Sequence, residues 1–384
     1  MTSTADPSDR TFAYLDNNAT TAMSPAARSR MIELLAGPPG NPASLHGLGT
    51  AARNVLEEAR ACFGRHLGGQ VLFTTGATEA NSLCLLGALR HPENRCEQLV
   101  VSELEHASVY DLGELPLERP VVVCRARPDG TPDLDHLRDL IARRRSLVSM
   151  MHVNNETGVI FPVAEIAAIT HRHGGLLHVD AAQSAGKMPL DEVVPHADAL
   201  TFSAHKFHGP LGVGAIALLN ADFRLTPVLP GGGQEGGIRS GTVNVPAIAA
   251  AAVAFDEAMA MPPHGPQLRD RLEAFLAAEV PHCLVAGHAA PRLWTTSYTC
   301  FPGLLQEDLI EALSHRGVHV GSGAACASAL DESRVLRAMG IAPLYNQGGI
   351  RISFSLRTPA AALDQFIEVF PEACAAAMEK SPYR

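Results

Sequence analysis

The sequence predicts an α/β protein in which a large domain, built on a mainly parallel seven-stranded sheet covered by helices, precedes a smaller α+β domain. Seven short apolar runs lead to that reading: Val71–Thr75, Gln98–Ser102, Pro120–Cys124, Ser146–Val153, Leu176–Asp180, Ala199–Phe202 and Val213–Leu219. Amphipathic stretches lie between several of them, notably Thr78–Leu89, Leu134–Arg144 and Val163–His173. Strands alternating with helices of about 10–15 residues form parallel sheets, because each helix returns the chain to the edge it left. Leu147–Val153 is apolar without alternation, as a strand buried on both faces should be. The pattern breaks at Met261-Pro262-Pro263-His264-Gly265-Pro266, so the domains are read as residues 14–260 and 261–384.

From the N-terminus, Tyr14 to Thr21 is a short extended piece rich in turn formers. Ser24-Pro25 opens a helix, with serine as the cap and proline pre-setting the first φ. Gly37-Pro38-Pro39-Gly40 stops it after about Leu35, and a second helix fits Thr50–His66. Beyond the linker come a helix Leu268–Val280, a strand near Leu293–Cys300, a helix Gln306–Arg316, a glycine-rich loop, a strand Gly349–Phe354 and a last helix from Thr358. These suit an antiparallel sheet with helices, completed by N-terminal residues.

Composition narrows the function. At about 150 residues per domain, 384 residues suit two units, and 46% hydrophobic against 18% charged residues describes a folded globular chain. A net charge of -10 and a single tryptophan, Trp294, argue against nucleic acid, which calls for a basic footprint or stacking platforms. Arg143-Arg144-Arg145 reads as a solvated helix end. No run of about 18 apolar residues suggests a membrane span, and the polar opening MTSTADPSDRTF lacks a signal-peptide core, so the cytoplasm is expected. The eight cysteines are scattered without a metal-type or disulfide spacing; Cys84 and Cys124 read as core residues.

In an open α/β sheet, ligands collect beyond the carboxyl ends of the strands. Lys206 follows Ala199–Phe202 beside a glycine-rich turn, where a desolvated amine can form a Schiff base with an aldehyde. Asp180 ends Leu176–Asp180 and can pair with a protonated pyridine nitrogen, or simply cap a helix. The turn Thr74-Thr75-Gly76-Ala77-Thr78 opens a helix whose free N–H groups suit a phosphate, with Thr78 and Ser203 hydroxyls in support. His106 can stack on a ring or move a proton, and Asn155 can bond a ring hydroxyl. Each has a purely structural alternative; five polar sites after strands of one sheet point together to pyridoxal 5′-phosphate.

These residues resemble a cysteine desulfurase of the NifS/IscS group, in the class-V aminotransferase family of fold-type I pyridoxal-phosphate enzymes. The likeness runs from Tyr14-Leu15-Asp16 to the last helix and is most specific at Thr75–Glu79, His152–Glu156, His178-Val179-Asp180, His205-Lys206 and Arg239-Ser240-Gly241-Thr242. It implies that Lys206 is the Schiff-base lysine, that Asp180 meets the pyridine nitrogen, and that His106 stacks on the ring. It further implies that Asn155 and Gln183 meet the hydroxyl side, and that Ala77, Thr78, Ser203 and His205 bind the phosphate. Thr242 would reach the phosphate of a neighbouring subunit's cofactor in a two-fold homodimer.

Cofactor chemistry does not choose the bond that breaks. Cys326 lies in Gly321-Ser322-Gly323-Ala324-Ala325-Cys326-Ala327-Ser328-Ala329, a run of small residues that could equally hold a buried structural thiol. The resemblance makes Cys326 the nucleophile, Arg351 the fork that grips the substrate carboxylate, and Asn41 a pocket residue. It implies conversion of L-cysteine to L-alanine with a persulfide on Cys326, passed to an acceptor such as an iron–sulfur scaffold protein. Donation to tRNA or DNA thiolation is an alternative route. A selenocysteine lyase or an aminotransferase would share the fold, whereas a non-catalytic partner would lack Lys206 or Cys326. A Cys326 thiol hydrolase would leave Asp180, Lys206 and the phosphate turn unexplained. Two departures stand out: glycine occupies position 236 in Gln234-Glu235-Gly236-Gly237, where the family has arginine, and the stretch from Cys326 to Val335 is about one residue short.

Overall fold

A computed structural model describes residues 12–261, 267–280, 282–323 and 332–381. Its strands are β1 Ala13–Tyr14, β2 Gln70–Thr74, β3 Gln98–Ser102, β4 Val121–Cys124, β5 Ser146–Met151, β6 Leu176–Asp180, β7 Ala199–Ser203, β8 Gly214–Leu218, β9 Leu284–Val285, β10 Thr296–Cys300, β11 Val318–His319 and β12 Gly349–Ser353. Its helices are α1 Pro25–Ala36, α2 Gly47–Leu67, α3 Ala77–Arg90, α4 Ala107–Tyr110, α5 Leu134–Ile141, α6 Val163–Arg172, α7 Val245–Ala260, α8 Gln267–Glu279, α9 Gln306–Ser314, α10 Arg334–Ala338, α11 Pro343–Asn346 and α12 Ala360–Lys380.

The seven predicted strands form one sheet in the order β2-β8-β7-β6-β5-β3-β4. Side chains alternate across it. Leu72, Leu99 and Leu147 join an apolar cluster with α3, while Phe73, Val100 and Val148 join another with α2, α5, α6 and α7. Both faces are therefore covered, which is why β3, β5 and β6 are buried at every position. Only β8 runs against its neighbours, pairing antiparallel with both β2 and β7. Ten residues separate β7 from β8, too few for a helical crossover. Because β8 reverses relative to both, β2 points the same way as β7, and the carboxyl ends of β2, β3, β5, β6 and β7 share one edge.

Ser24 caps α1 through its hydroxyl, which accepts from the Ala27 N–H, with Pro25 at the first position as expected. Helix α7 packs against α1 and α2 and is buried almost all round. Its Phe255 stacks on Phe63 at 4.9 Å and meets Phe202 and Phe207 at 5.8 and 5.1 Å. Phe202 and Phe207 flank the turn that carries Lys206, so this aromatic cluster fixes where that lysine leaves the sheet.

After residue 260 a three-stranded antiparallel sheet, β12-β10-β9, forms beneath α8, α9 and α12. The N-terminal segment joins it: β1 pairs in parallel with β11, and Asp16 bridges Ser353. Asn17 then donates its amide to the Ser353 carbonyl at 2.8 Å. The N-terminus thus runs from the small sheet to the edge of the large one.

Candidate active site

A cavity of about 700 Å³ opens at the shared strand edge, and Thr78, His106, Asp180, Lys206 and Arg351 all border it. Ala77, Asn155, Gln183, Ser203 and His205 border it as well. Asn41 and Thr242 do not: both are exposed and line a second cleft of about 490 Å³ with Arg53, Arg60 and Gln234. Cys326 lies outside the described residues.

Lys206 sits on a single 3-10 turn directly after β7. Its Nζ donates to the carbonyls of Asn18 and Ala19, the latter at 2.9 Å. Burial, and secondarily the Arg351 charge, lower its pKa to about 8, against a pull upward from Asp16 and Asp180. The neutral amine needed to attack an aldehyde is thus roughly three-hundredfold more abundant near pH 7 than for a free lysine.

Asp180 is buried, and both of its carboxylate oxygens accept at the end of a directed chain of hydrogen bonds. Its Oδ1 accepts from the Ala182 N–H at 2.8 Å and its Oδ2 from the Asn81 amide at 2.7 Å. Thr201 donates to Asn81 Oδ1, His178 Nε2 lies 3.0 Å from Thr201 Oγ1, and Ser149 Oγ lies 2.9 Å from His178 Nδ1. Burial drives the His178 pKa down to about 4, so the ring is neutral and carries one proton, on Nε2 if Ser149 donates. Asp180 is left as the terminal acceptor, suited to a protonated ring nitrogen.

The same Asn81 amide also donates to Ser108 Oγ at 3.0 Å, and Ser108 holds His106. Ser108 Oγ lies 2.9 Å from His106 Nδ1, which accepts from the Ser108 N–H at 3.1 Å. With Nδ1 an acceptor, the neutral His106 ring carries its proton on Nε2. Its ring is open to the cavity, yet the surrounding protein desolvates it enough to lower its pKa. Asn81→Leu should therefore weaken cofactor retention about tenfold through loss of a charge-assisted bond to Asp180, read by equilibrium dialysis against free cofactor.

The phosphate end fits equally well. Helix α3 begins at Gly76 without a side-chain cap, leaving its first N–H groups and the positive dipole end for a ligand. Gly214 on β8 lets this turn lie directly over the sheet, since a Cβ there would collide with the Gly76 backbone. Glu79 anchors the turn, accepting from the Thr75 N–H at 2.6 Å and from Arg239 at 2.8 Å. Burial would raise the Glu79 pKa, but Arg239 and Thr75 together hold it below the usual value. Burial lowers the His205 pKa to about 4, and its Nδ1 lies 3.1 Å from Thr20 Oγ1. Uncapped donors, a depressed lysine and a supported carboxylate around one cavity make a donor set that fits pyridoxal phosphate.

Several residues that sequence reasoning left without a role hold this set together. Asn18 accepts from Lys206 and, at 3.1 Å, from Gln183 through its carbonyl, while its amide donates to Thr296 at 2.9 Å and to the Asn155 carbonyl at 3.2 Å. Lys187 is buried between Asn18 Oδ1 at 3.1 Å and Gln183 Oε1 at 2.6 Å, and burial pushes its pKa well down. Glu105 is fully buried and accepts from the Met151 N–H at 2.7 Å through one oxygen; the other has no partner among the described residues. Burial raises its pKa well above the ordinary glutamate value, against the Met151 N–H bond, and it borders the cavity. The turn-rich run Tyr14–Thr21 was the available signal for Asn18; nothing in the sequence marked Lys187 or Glu105.

Arg351 on β12 is buried, and its fork is engaged. Nη2 pairs with Asp16 at 2.7 Å, and Nη1 donates to the carbonyls of Asn155 and Gly323, each at 3.1 Å, while Nε is buried without a partner among the described residues. In the second cleft, Glu235 accepts two bonds from Arg60 at 2.8 and 2.9 Å and one from the Phe73 N–H at 2.8 Å. The local salt bridge therefore stands without an arginine at 236, where glycine adopts φ +66°.

Comparisons with known proteins agree with this geometry. The family described as Aminotransferase class-V matches residues 13–366. A cysteine desulfurase of Cereibacter sphaeroides is 41% identical over 368 residues, covering 93% of this chain and 94% of that protein. Among solved structures, a NifS-like protein from Rickettsia africae superposes with a TM-score of 0.85 at 29% identity, covering 95% of this chain and 100% of that one. The structure of SspA in complex with cysteine does so with a TM-score of 0.78 at 26% identity, covering 90% and 100%. The chain belongs to the class-V aminotransferase family.

Proposed function

We infer that this chain is a pyridoxal-phosphate-dependent cysteine desulfurase that converts L-cysteine to L-alanine and carries the sulfur away as a persulfide on Cys326. The observation that carries the reading is the meeting of Lys206, Asp180, the uncapped start of α3 and Arg351 around one cavity. When bound, the cofactor supplies an electron sink for the pair released at the substrate α-carbon. Lys206 would hold the cofactor's aldehyde, and its Nζ is placed to serve as the base for the substrate α-proton. Asp180 would pair with the ring nitrogen, His106 would cover the ring, and Asn155 and Gln183 would serve its hydroxyl side. Ala77, Thr78, Ser203 and His205 hold the phosphate.

Arg351 receives the substrate carboxylate by exchanging a backbone carbonyl partner for a charged one, which strengthens the bond. Arg351→Ala should raise the KM for L-cysteine by about a hundredfold with a smaller change in kcat, measured by steady-state kinetics. It should also destabilise the fold, because Asp16 loses its partner.

Cys326 follows Gly323, a cavity residue, by three positions in the sequence. Glu332 and Arg334 also border the cavity, and Ser333 is anchored to Glu156 and Asn346. The thiolate attacks the substrate sulfur, an S–S bond forms as the Cβ–S bond breaks, and the departing carbon takes a proton to become alanine. Exposed Thr242 and Asn41 share a cleft away from this chain's own cavity, which supports Thr242 serving the cofactor of a second copy in a homodimer. Asn41 then belongs to the border between copies. Residues 14–260 and 261–384 make the two domains of this reading. No helix among the described residues is long and apolar enough to cross a membrane, in keeping with a cytoplasmic enzyme. An iron–sulfur scaffold protein is the expected acceptor.

The test is stoichiometry. With L-cysteine and a thiol reductant the holoenzyme should release alanine and sulfide one to one, with no amino group passed to an added keto acid. Transfer to the keto acid without sulfide would replace this reading with an aminotransferase.

A further inference from the structure

Helices α2 and α7 bring together three ligand-type side chains that the cavity does not use. Cys62 and His66 stand four residues apart on α2 and so share a face, and Asp256 meets them from α7. His66 Nε2 lies 2.9 Å from Asp256 Oδ1, and Cys62 Sγ lies 3.9 Å from the same oxygen. All three ligand atoms fall within 4.8 Å of one another. Around tetrahedral zinc, with metal–sulfur bonds near 2.3 Å and metal–nitrogen or –oxygen bonds near 2.0–2.1 Å, ligand atoms sit roughly 3.3–3.6 Å apart. The observed set needs movements of about an ångström to reach that arrangement, and His66 and Asp256 keep side chains 26% and 57% exposed.

Exposure is graded. Cys62 is buried, His66 is partly covered with its ring edge-on to Phe255 at 5.4 Å, and Asp256 is exposed, so the group opens toward solvent. The one neighbouring cation among the described residues is Arg65, 3.8 Å from Asp256 Oδ1 on a side chain exposed enough to swing away. Thiolate and imidazole ligands favour borderline ions over magnesium or calcium, which take oxygen donors.

We propose that Cys62, His66 and Asp256 bind one divalent transition metal of the zinc type, filling three tetrahedral positions and leaving the fourth to water. On binding, the Cys62 thiol releases its proton to solvent, and the sulfur exchanges its hydrogen bond to the Ala252 carbonyl for the metal. No redox change is involved. The metal clips α2, which carries Arg60, to α7, which carries the Phe255 packed behind the Lys206 turn, so it stiffens the scaffold without entering the cavity. The proposal does not depend on the reaction assigned above.

The experiment uses full-length holoenzyme carrying Cys326→Ser, which removes a competing thiol, stripped with a chelator and titrated with Co²⁺ and then Zn²⁺. One Co²⁺ per chain should bind with the visible bands of a tetrahedral, sulfur-ligated ion, and Zn²⁺ should displace it and raise the thermal midpoint. His66→Ala, at a partly covered side chain, and Asp256→Asn, at an exposed one, should each weaken binding at least tenfold, with circular dichroism checking that the fold is kept. Cys62→Ala should abolish the sulfur-to-metal absorption. An octahedral, sulfur-free cobalt spectrum, absence of stoichiometric binding, or binding unchanged by His66→Ala and Asp256→Asn would overturn the proposal.

Discussion

Lys206→Ala will lower L-cysteine turnover by at least roughly a thousandfold and leave a folded protein. The variant loses both the group that holds the aldehyde and the base at the α-carbon, and no neighbour can replace it. Lys187 also lies close by with a lowered pKa, but its amine is fully buried between Asn18 and Gln183. The same substitution carries a stability signature. The folded-state pKa of about 8 lies below the unfolded value, so between those values the unfolded chain binds more protons and stability rises with pH. The burden of a desolvated ammonium is fully present below pH 8 and fades as pH climbs toward about 10.5. The upper limit is about 3 kcal/mol, reduced by the lost bonds to the Asn18 and Ala19 carbonyls. Denaturant unfolding of the cofactor-free proteins should show Lys206→Ala gaining on wild type at pH 7 and losing that advantage by pH 10.

Cys326→Ala separates the possible chemistries. Lys206, Asp180 and the phosphate turn remain, so the variant should keep the cofactor's colour and still bind L-cysteine, visible as a spectral change. Sulfide and alanine production should fall below about one per cent of wild type, because no other thiol among the described residues is placed to accept the sulfur. Cys84, Cys96, Cys124 and Cys300 are buried, with pKa values pushed up by burial to about 11 or beyond, so they remain protonated and inaccessible. A variant that retained full activity would point to chemistry that does not need a thiol.

The large sheet was legible because its strands are uniform apolar runs and its helices carry one polar face. Helix α7 gave no periodic signal, since Val245–Ala260 is apolar nearly all round and buried to match. The two-residue strands β1, β9 and β11 are too short for an alternation to register. At the site, residues that end strands could be found from position alone. The supports could not: Asn81 reaches Asp180 across 99 residues, and Asn18 reaches Lys206 across 188. Pairing over such distances depends on the closed fold, and a single sequence records only the partners. Asn41, which the resemblance places at the pocket, lines the second cleft within one chain, as Thr242 does.

The path of the N-terminal segment sets an order of assembly. Asn17 and Asn18 are tied to Ser353 by bonds spanning 336 and 335 residues, and Arg351 holds Asp16 across 335. The carbonyls that hold Lys206 are therefore not fixed in place until β12 has left the ribosome. A nascent chain can complete the seven-stranded sheet long before then, since β8 ends at Leu218. Closing contacts of such sequence separation come late in folding. The finished pocket, and with it tight cofactor uptake, is accordingly a post-translational event, and a chain truncated before Gly349 should have a sheet but no grip on the cofactor.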